Sequence, residues 1–457
     1  MRSIKIERAS WIITLDQKRR IIKDGSIYIE DGKIVAVEKA DKLRLENADI
    51  IIEGLNKVIT PGFINTHMHI SYAHPVRGIF PDNLPRVTYL SHVFKLQSSM
   101  KPSEEYYTTL LGVTELLKNG CTCFADPGSI GSLEAGVKAI DDAGIRAVVG
   151  RDVVDIPNPL NLPVRDTNEA VKTLEDTLKS YSALSNGRVK AWVTVFSPDY
   201  ASDELLIKAK ELADRYHTVL TLHTSFSEEA VKSFEAKRGR RPIEHLAHLE
   251  ILDENVLLSH ALVVNDYEID LLAKSGTKVV HCPSAAVRGG GATKFGKFPE
   301  MLAKGIRVSL GSDSANSSYY LDMVRLMYLA MVLYKDARLD KAVMPPESVL
   351  EMGTVNGAWA LGLNKELGSI EVEKKADLVV FDTKRCEWRS IFYPVNNLVY
   401  SADGRSVDTV IVDGRIVVQS GKPLYVNEGD LCERVQQIGE DILERTNIFF
   451  NYSWQVE

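Results

Sequence analysis

The stretch PGFINTHMH, residues 61–69, contains the first of eight short apolar runs that decide the fold. Amphipathic segments such as DELLIKAKELADRYH separate the runs. Eight β units that alternate with helices over about 250 residues predict a TIM-type (β/α)8 barrel, and a doubly wound open sheet is the alternative. The eight runs are GFINTH (62–67), CTCFAD (121–126), RAVVGR (146–151), AWVTVF (191–196), TVLTLH (218–223), NVLLSH (255–260), TKVVHC (277–282) and VSLGSD (308–313).

The carboxyl ends of these runs favour the barrel over the open sheet. Nearly every run ends in polar or ionisable side chains, and in a barrel the carboxyl ends of all strands converge on one mouth. We therefore expect residues that are scattered along the sequence to be gathered at one site. These residues are His67 with His69, Asp126, Arg151, His223, His260, His281 and Asp313.

Both ends of the chain are rich in β-forming residues. SIYIEDGKIVAV near the start and VDTVIVDGRIVV near the end each place an Asp-Gly turn between two apolar runs. The overall prediction is an α/β protein. Residues 1–58 and 365–426 together form a small β-sandwich that flanks a barrel over 59–364. Residues 427–457 are predicted to contain an amphipathic helix that packs on the outside.

Composition narrows the range of partners. The 457 residues are 45% apolar and 26% charged, the net charge is -7, and no block of basic residues occurs, so neither nucleic acid nor a membrane is an expected partner. Charges interrupt the N-terminal MRSIKIERASWIITLD too often for a signal peptide. Five scattered cysteines do not indicate a disulfide framework. These features predict a cytoplasmic protein that acts on a small molecule.

Three imidazoles and one carboxylate at strand ends predict a metal site. A lone His-x-His pair such as His67 and His69 is a weak signal, but His223 and Asp313 end further strands that reach the same mouth. This donor set suits one divalent ion. Zn²⁺ is the preferred ion, and Fe²⁺, Mn²⁺ and Co²⁺ are alternatives. A divalent cation lowers the pKa of bound water from about 16 to about 7, which makes hydroxide available at neutral pH.

The same pattern assigns catalytic roles. Asp313 is expected to ligate the metal with one carboxylate oxygen and to accept the proton of the attacking water with the other. His260 is expected to donate a hydrogen bond to the hydroxide or to the developing oxyanion. His281, in the segment HCPS, either lines the mouth of the barrel or packs beneath it.

The motifs PGFINTHMH, LTLHTS, LLSHALV, HCPS and LGSDSANS resemble the successive signatures of the amidohydrolase superfamily. They are most similar to the branch that contains cytosine deaminase, guanine deaminase, the S-adenosylhomocysteine and methylthioadenosine deaminases, and the s-triazine hydrolases. The resemblance covers nearly the whole chain. It implies a mononuclear metal site in a distorted barrel, since no lysine follows the fourth run to bridge a second metal. It implies the same four ligands and the same catalytic His260.

Two departures from this branch bear on the reaction. Deaminases and triazine hydrolases of the branch usually carry a glutamate three residues after the histidine of the fifth strand, where this chain has Phe226. Ser284-Ala285 replaces a common Ser-Asn pair. Deamination or dechlorination of an aromatic ring needs its ring nitrogen protonated as hydroxide adds, whereas cleavage of an amide does not.

The predicted function is therefore a metal-dependent hydrolase of a carbon–nitrogen bond other than a peptide bond, in an amide-, urea-, carbamate- or amidine-like group. This prediction points toward relatives that resemble phenylurea and thiocarbamate hydrolases. The alternative is a deaminase or chlorohydrolase of a purine, pyrimidine or s-triazine, with Glu228 in place of the glutamate. Two alternatives from other classes are less favoured. A catalytically silent scaffold would have no reason to keep four metal ligands. An iron oxygenase would be expected to have a barrel of antiparallel strands, which the alternating pattern does not resemble.

The resemblance also implies substrate contacts. The loop YAHPVRG after the first run is similar to a Leu-Arg-Gly segment of the deaminases, which places Tyr72 and Arg77 near the mouth. Phe226 and His281 complete the set of expected substrate-binding residues. Members of the family often form dimers or larger assemblies, so a homo-oligomer is expected.

Overall fold

Each of the eight apolar runs forms a barrel strand, in a computed structural model that describes residues 3–44, 47–72, 74–182, 184–452 and 454. All pairings between neighbouring strands of this set are parallel. The Thr66 amide donates to the Leu310 carbonyl at 3.0 Å and so joins the eighth strand to the first. The barrel prediction is confirmed over the open sheet. In order, the strands are Phe63–Asn65, Cys121–Asp126, Arg146–Val149 continued by Asp152–Val153, Val189–Ala191 continued by Val193–Val195, Leu220–Thr224, Val256–His260, Lys278–His281 and Val308–Leu310.

Side chains of the strands alternate between the interior of the barrel and the surrounding helices. Cys123 and Val280 belong to one buried cluster with Trp192, whereas their neighbours Phe124 and Val279 belong to another that includes the helices. This alternation follows from the two-residue period of a strand. Trp192 interrupts the fourth strand, and its indole N–H donates to the Asp126 carbonyl at 3.0 Å. The interior of the barrel is thus a packed core.

Helices cover the barrel and connect its strands. The α-helices are Arg86–Ser98, Pro102–Lys118, Leu133–Ala143, Thr167–Tyr181, Asp203–Arg215, Glu228–Arg238, Pro242–His248, Asp266–Ser275, Pro283–Arg288, Ala292–Phe295, Phe298–Ala303, Ala315–Ser318, Met323–Arg338, Pro346–Met352, Val355–Ala360, Pro394–Asn396 and Glu428–Thr446. Short 3-10 turns cover His74–Val76, Ser185–Gly187, Pro198–Tyr200, Cys386–Trp388 and Gly404–Ser406, and a π-helical turn covers Asn397–Ser401. None of these helices is both long and apolar enough to cross a lipid bilayer.

Strands from both chain ends form one nine-stranded sheet, as the sequence predicts. The joint lies between Lys57–Pro61 and Leu378–Asp382, which pair antiparallel. Isoleucines from the first forty residues share a buried cluster with Leu378, Val380 and Ile411, so the two parts of the sheet pack face to face. The strands are Ser3–Ile13, Ile21–Glu30, Lys33–Lys39, Ile50–Glu53, Lys57–Pro61, Leu378–Asp382, Val407–Val412, Arg415–Gln419 and Lys422–Pro423.

The two Asp-Gly turns, one from each chain end, touch each other in this sheet. A Cβ atom on Gly414 would lie 2.6 Å from the Cα atom of Gly32, and one on Gly32 would lie 2.9 Å from the Asp413 carbonyl oxygen. Both glycines have positive φ angles, 79° and 72°. Only glycine fits both the backbone conformation and the close approach at these turns.

The last helix, Glu428–Thr446, packs against the helix Pro102–Lys118. Arg445 Nη2 donates to Glu104 Oε1 at 2.7 Å across this contact. Ile438 and Ile442 lie in a buried cluster with Tyr72 and other residues of the loop after the first barrel strand. The C-terminal helix therefore supports the loop that borders the barrel mouth.

Candidate metal centre and pocket

Three imidazoles converge at the carboxyl ends of the first and fifth barrel strands. His67 and His69 follow the first strand, and His223 lies near the end of the fifth. The three side chains are buried, and one nitrogen of each lies within 4.8 Å of the others. The Nε2 atoms of His69 and His223 are 3.2 Å apart. Residues that are more than 150 positions apart in sequence are thus brought to one point.

Hydrogen bonds on the far side of two of these rings direct their Nε2 atoms toward the centre. His223 Nδ1 lies 2.7 Å from the Phe196 carbonyl oxygen, to which it donates. His67 Nδ1 lies 3.0 Å from Ser259 Oγ. Because a carbonyl oxygen can only accept, His223 carries its proton on Nδ1, and its Nε2 keeps a lone pair for a metal. His67 Nε2 is buried without a hydrogen-bond partner among the described residues, as is Nδ1 of His69.

Asp313 places a carboxylate beside His69. Its Oδ1 lies 3.6 Å from His69 Nε2 and accepts the Ser314 N–H at 2.6 Å. Burial raises the pKa of Asp313 to about 6, although the Ser314 hydrogen bond and the Arg86 charge act in the opposite direction. A bound cation would favour the ionised form, so this carboxyl suits a metal ligand.

The spacing of these atoms fits a zinc ion. Two nitrogens bound at about 2.0–2.1 Å with a tetrahedral angle between them lie about 3.3–3.4 Å apart, close to the 3.2 Å observed between His69 and His223. Three imidazoles and one carboxylate make a site of nitrogen and oxygen ligands of the kind that binds zinc and similar divalent ions. The residues present therefore fit the group that the sequence predicts.

His260 lies beside this cluster, at the end of the sixth strand. Its ring centroid is 5.4 Å from that of His67 and 5.5 Å from that of His223. His260 and Asp313 both have positive φ angles, 72° and 62°. Such backbone strain in residues other than glycine is concentrated at functional sites. The position is suitable for a hydrogen bond from His260 to a molecule bound next to the three imidazoles.

A cavity of about 360 Å³ opens from this centre to the surface. Its walls combine aromatic rings, two arginines and a glycine-rich loop. The lining includes the predicted residues Phe226, His260, His281 and Asp313, and in addition Arg86, Tyr89 and Arg288. We refer to this cavity as the pocket. Its size suits a small molecule.

His281 lies at the base of the pocket and packs there. It is 1% exposed, its ring is stacked on Phe298 with centroids 3.8 Å apart, and its Nε2 is 3.5 Å from the Tyr334 hydroxyl. The sequence left open whether His281 lines the mouth of the barrel or packs beneath it. Both descriptions hold in part, because this residue borders the pocket from below.

Tyr72 contacts a metal-site histidine rather than the pocket. Its ring is stacked on His69, with centroids 4.5 Å apart and planes 3° apart. It lines a neighbouring cavity of about 460 Å³ together with Phe94 and Asp152. Burial and nearby carboxylates, including Asp152, hold the pKa of Tyr72 well above its usual value, so the phenol stays neutral. The contact orients the His69 ring.

Arg77 lies outside the pocket. Its Nη1 donates to Glu115 at 2.8 Å and 3.1 Å, and this pair borders a separate groove beside the β-sheet. The structure therefore does not bring Arg77 together with Phe226 and His281, the predicted substrate-binding residues that line the pocket. The physical reason is Glu115, a half-buried acceptor on the neighbouring helix.

Asp126 holds the chain that leads out of the first strand. Its carboxylate accepts the Ile70 N–H at 3.0 Å, directly after His69, and the N–H groups of Gly128 and Ser129. Arg151 does not pair with it and instead contacts the Gly131 carbonyl. Asp126 therefore fixes the backbone next to a metal-site histidine.

Arg86 is a pocket residue that the sequence analysis missed. It begins the helix Arg86–Ser98, and its guanidinium carbon lies 3.8 Å from the ring centroid of Phe226. No strand ends near position 86, so the pattern of polar residues at strand ends does not include Arg86. The only sequence signal is the Pro85-Arg86 pair, since proline commonly stands where a helix begins.

Comparisons with known proteins agree with this geometry. The chain is 30% identical over 444 residues to 5'-deoxyadenosine deaminase of Methanosarcina acetivorans, which covers 97% of this chain and 99% of the relative. An adenosine deaminase from Xanthomonas campestris with bound zinc superposes with a TM-score of 0.88 at 24% identity, covering 96% of this chain and 98% of that chain. Atrazine chlorohydrolase from Arthrobacter aurescens, also with zinc, gives a TM-score of 0.89 at 22% identity, covering 95% and 100%.

The two solved structures share the fold of this chain. A sequence model described as the amidohydrolase family matches residues 58–417, which include all of the barrel strands. With the histidines and the aspartate at the barrel mouth, and with this match over most of its length, the chain belongs to the amidohydrolase family.

Proposed function

We propose that this protein is a metal-dependent hydrolase that cleaves an amide-, urea-, carbamate- or amidine-like carbon–nitrogen bond of a small molecule. One divalent ion is held by four ligands: His67, His69, His223 and Asp313. Zn²⁺ is the preferred ion, and Fe²⁺, Mn²⁺ and Co²⁺ are alternatives. The 3.2 Å spacing of two imidazole nitrogens supports this assignment, and so does the zinc in two related structures.

The residues around the metal site have separate tasks. A bound divalent ion supplies a Lewis acid that makes water nucleophilic at neutral pH. Asp313 Oδ2 accepts no hydrogen bond from the described residues and is free to take the proton of the attacking water and pass it to the leaving amine. His260 donates a hydrogen bond to the developing oxyanion, which lowers the barrier when the donor is already in place.

The observation that carries this proposal is the environment of Phe226. Deaminases of the branch usually have a glutamate at this position of the loop, whereas here an aromatic ring lies against the Arg86 guanidinium. Glu228, the nearest candidate for a substitute, is exposed and forms an ion pair with Lys232 at 3.1 Å. Protonation of a ring nitrogen therefore has no dedicated acid in this loop, and hydrolysis of an amide-like bond needs none.

Deamination of an adenosine-like nucleoside is the second candidate function. It is favoured by the 30% identity to 5'-deoxyadenosine deaminase over nearly the whole of both chains. Glu228 and Glu229 line the pocket, and either would then have to supply the proton after a movement of the loop. A catalytically silent scaffold is the third reading.

A panel assay tests these alternatives. Zinc-reconstituted protein is incubated with ureas, carbamates, N-acyl amines, aminopurines, aminopyrimidines and aminotriazines, and the products are read by mass spectrometry. We expect an amine together with an acid or CO₂. An oxo heterocycle and ammonia would establish the second candidate instead. The Asp313→Asn variant is the control for turnover at this site. If neither protein forms a product from any substrate of the panel, the catalytically silent scaffold would be favoured.

We also infer a cytoplasmic location and a homo-oligomer, as a dimer or larger assembly. All five cysteines are free, which fits a reducing compartment. Phe449 and Trp454 at the C-terminal end are 71% and 87% exposed, which fits a surface that another copy covers. Sedimentation analysis of the wild type and of the Phe449→Ser variant tests the second inference, because a monomeric wild type contradicts it.

A further inference from the structure

Arg86 presents an unpaired positive charge to the pocket. Its guanidinium makes no hydrogen bond or ion pair with any residue that the structure describes, and it lies over the face of the Phe226 ring. The other arginine of the pocket differs, because Arg288 donates to Asp82 at 3.0 Å and to the Asn316 carbonyl at 2.6 Å. The N–H donors of Arg86 are therefore available to a bound molecule.

No acidic side chain among the described residues forms an ion pair with Arg86, although Asp199 and Asp313 act on its charge from a greater distance. The helix that Arg86 begins has no acidic residue in its first turn. Glu228, across the pocket, pairs with Lys232. Asp313 is near enough for the Arg86 charge to lower its pKa in part, yet the two side chains form no ion pair. Arg86 is exposed in the open pocket, so water solvates its charge in the free protein, and a carboxylate of the substrate can take the place of that water.

We propose that Arg86 binds a carboxylate of the substrate, and that the protein hydrolyses a carbon–nitrogen bond in a small molecule that carries such a group. This inference rests on the function proposed above and adds the substrate class. A guanidinium matches a carboxylate through two parallel hydrogen bonds. Arg86 and Asp313 line the same cavity of about 360 Å³, so one small molecule can reach both.

The arrangement also accounts for the residue at position 226. The flat Phe226 ring supports the guanidinium without offering it a charge, whereas a glutamate there would pair with Arg86 and compete with the substrate.

In the reaction, water adds across the scissile bond. The carbon gains the hydroxyl group and the leaving nitrogen gains the proton. Arg86 remains protonated throughout, because its pKa is too high for proton transfer at neutral pH.

Equilibrium binding to the zinc-loaded protein tests the proposal without turnover. The probes are matched pairs that contain no carbon–nitrogen bond and differ in one charge: benzoate and benzyl alcohol, phenylacetate and 2-phenylethanol, and 3-phenylpropionate and 3-phenylpropan-1-ol. Calorimetry compares the wild type with the Arg86→Gln variant. We expect at least one carboxylate to bind the wild type about tenfold or more tightly than the matching alcohol, and the variant to lose this preference.

Three further variants separate substrate binding from a purely structural role of Arg86. Arg86→Lys keeps the charge but not the two parallel donors, and it should restore part of the preference. Phe226→Leu removes the supporting ring and should weaken the preference. Arg307→Gln is the matched control, because Arg307 lies 4.0 Å above the Trp359 ring outside the pocket and should leave the preference intact. Melting temperatures show whether each variant is folded.

The possible results are distinct. A carboxylate preference that persists in Arg86→Gln would overturn the proposal and assign the anion to the metal ion. The proposal also fails if no carboxylate is preferred in any pair. Equal weakening of both members of a pair would show that Arg86 only fixes the helix, which again contradicts it. Because binding is read without turnover, an Arg86-dependent preference is separable from a failure of the panel assay, which would refute only the proposed reaction.

Discussion

His69 and His223 place their Nε2 atoms 3.2 Å apart in a buried centre, although 154 residues separate them in sequence. Two lone pairs that face each other at this distance repel unless they share a proton or a cation. His223 already directs its Nδ1 hydrogen to the Phe196 carbonyl, so its Nε2 is the acceptor end of the ring. This relationship makes metal binding and folding stability dependent on each other.

Replacement of His223 by alanine should abolish metal binding. With one of its nitrogen ligands lost, the site should retain less than about a tenth of an ion per chain, and turnover should fall by at least about a thousandfold. Metal content by mass spectrometry and kcat on the best panel substrate measure both effects. His92→Ala, at a partly exposed position outside the centre, should keep its metal. Full metal occupancy in His223→Ala would contradict the assignment.

Removal of the metal should lower the free energy of unfolding. A ligand present at about a thousand times its dissociation constant stabilises the folded state by about 4 kcal/mol, so dialysis against a chelator should lower the melting temperature by several degrees. Addition of Zn²⁺ should restore it. The His223→Ala variant is the control, since neither treatment should change its melting temperature.

Conversion of Phe226 to glutamate should weaken hydrolysis. The new carboxylate is expected to pair with Arg86, 3.8 Å from the wild-type ring, and to lower kcat/KM for the carbon–nitrogen substrate by about tenfold or more. Phe226→Leu, which adds no charge, should lower it by less. The opposite outcome, a Phe226→Glu protein that deaminates an aminopurine faster than the wild type cleaves any amide, would favour the nucleoside deaminase.

The Arg77–Glu115 pair should contribute to stability in acid. Burial raises the pKa of Glu115, but hydrogen bonds and charges from His74 and Arg77 outweigh it and bring the pKa to about 2, below its ordinary value of 4.5. A carboxyl with a depressed pKa in the folded state stabilises the protein above pH 4.5, and this contribution is lost as the pH falls toward 2.

Arg77→Met should therefore shift acid unfolding to higher pH and cost about 1–2 kcal/mol at neutral pH, with little change in KM. Urea unfolding at several pH values measures the effect. Arg385→Met, at an exposed arginine of the same groove, should leave the acid transition unchanged. A large rise in KM of the Arg77→Met variant without loss of stability would contradict this structural role and would indicate that Arg77 binds the substrate.

The barrel, and the grouping of the proposed metal ligands at its mouth, were predictable because both depend on local pattern. A strand of buried residues has a defined end, and parallel strands in a barrel bring their ends to one mouth, so His67, His69, His223 and Asp313 could be grouped from sequence alone. The composite sheet was predictable for a similar reason, since Asp-Gly turns between apolar runs mark its hairpins.

Residues of the loop after the first strand were harder to place. Tyr72 and Arg77 are five positions apart, yet one stacks on His69 and the other pairs with Glu115. Arg86 reaches the pocket only because the helix it begins lies across the mouth. Such loops have no periodic pattern, and the direction of each side chain depends on contacts with distant segments such as the C-terminal helix.

The joint between Lys57–Pro61 and Leu378–Asp382 constrains the order of events during synthesis. Thr383 donates to the Asn56 carbonyl at 2.7 Å across 327 residues of sequence. At 5–20 residues per second, a ribosome needs roughly 16 to 65 seconds to produce that separation. For this period the nascent N-terminal strands have an unpaired edge that is prone to aggregation. Release of a chain that stops inside the barrel leaves this edge open permanently, which marks the truncated product for chaperones and proteases.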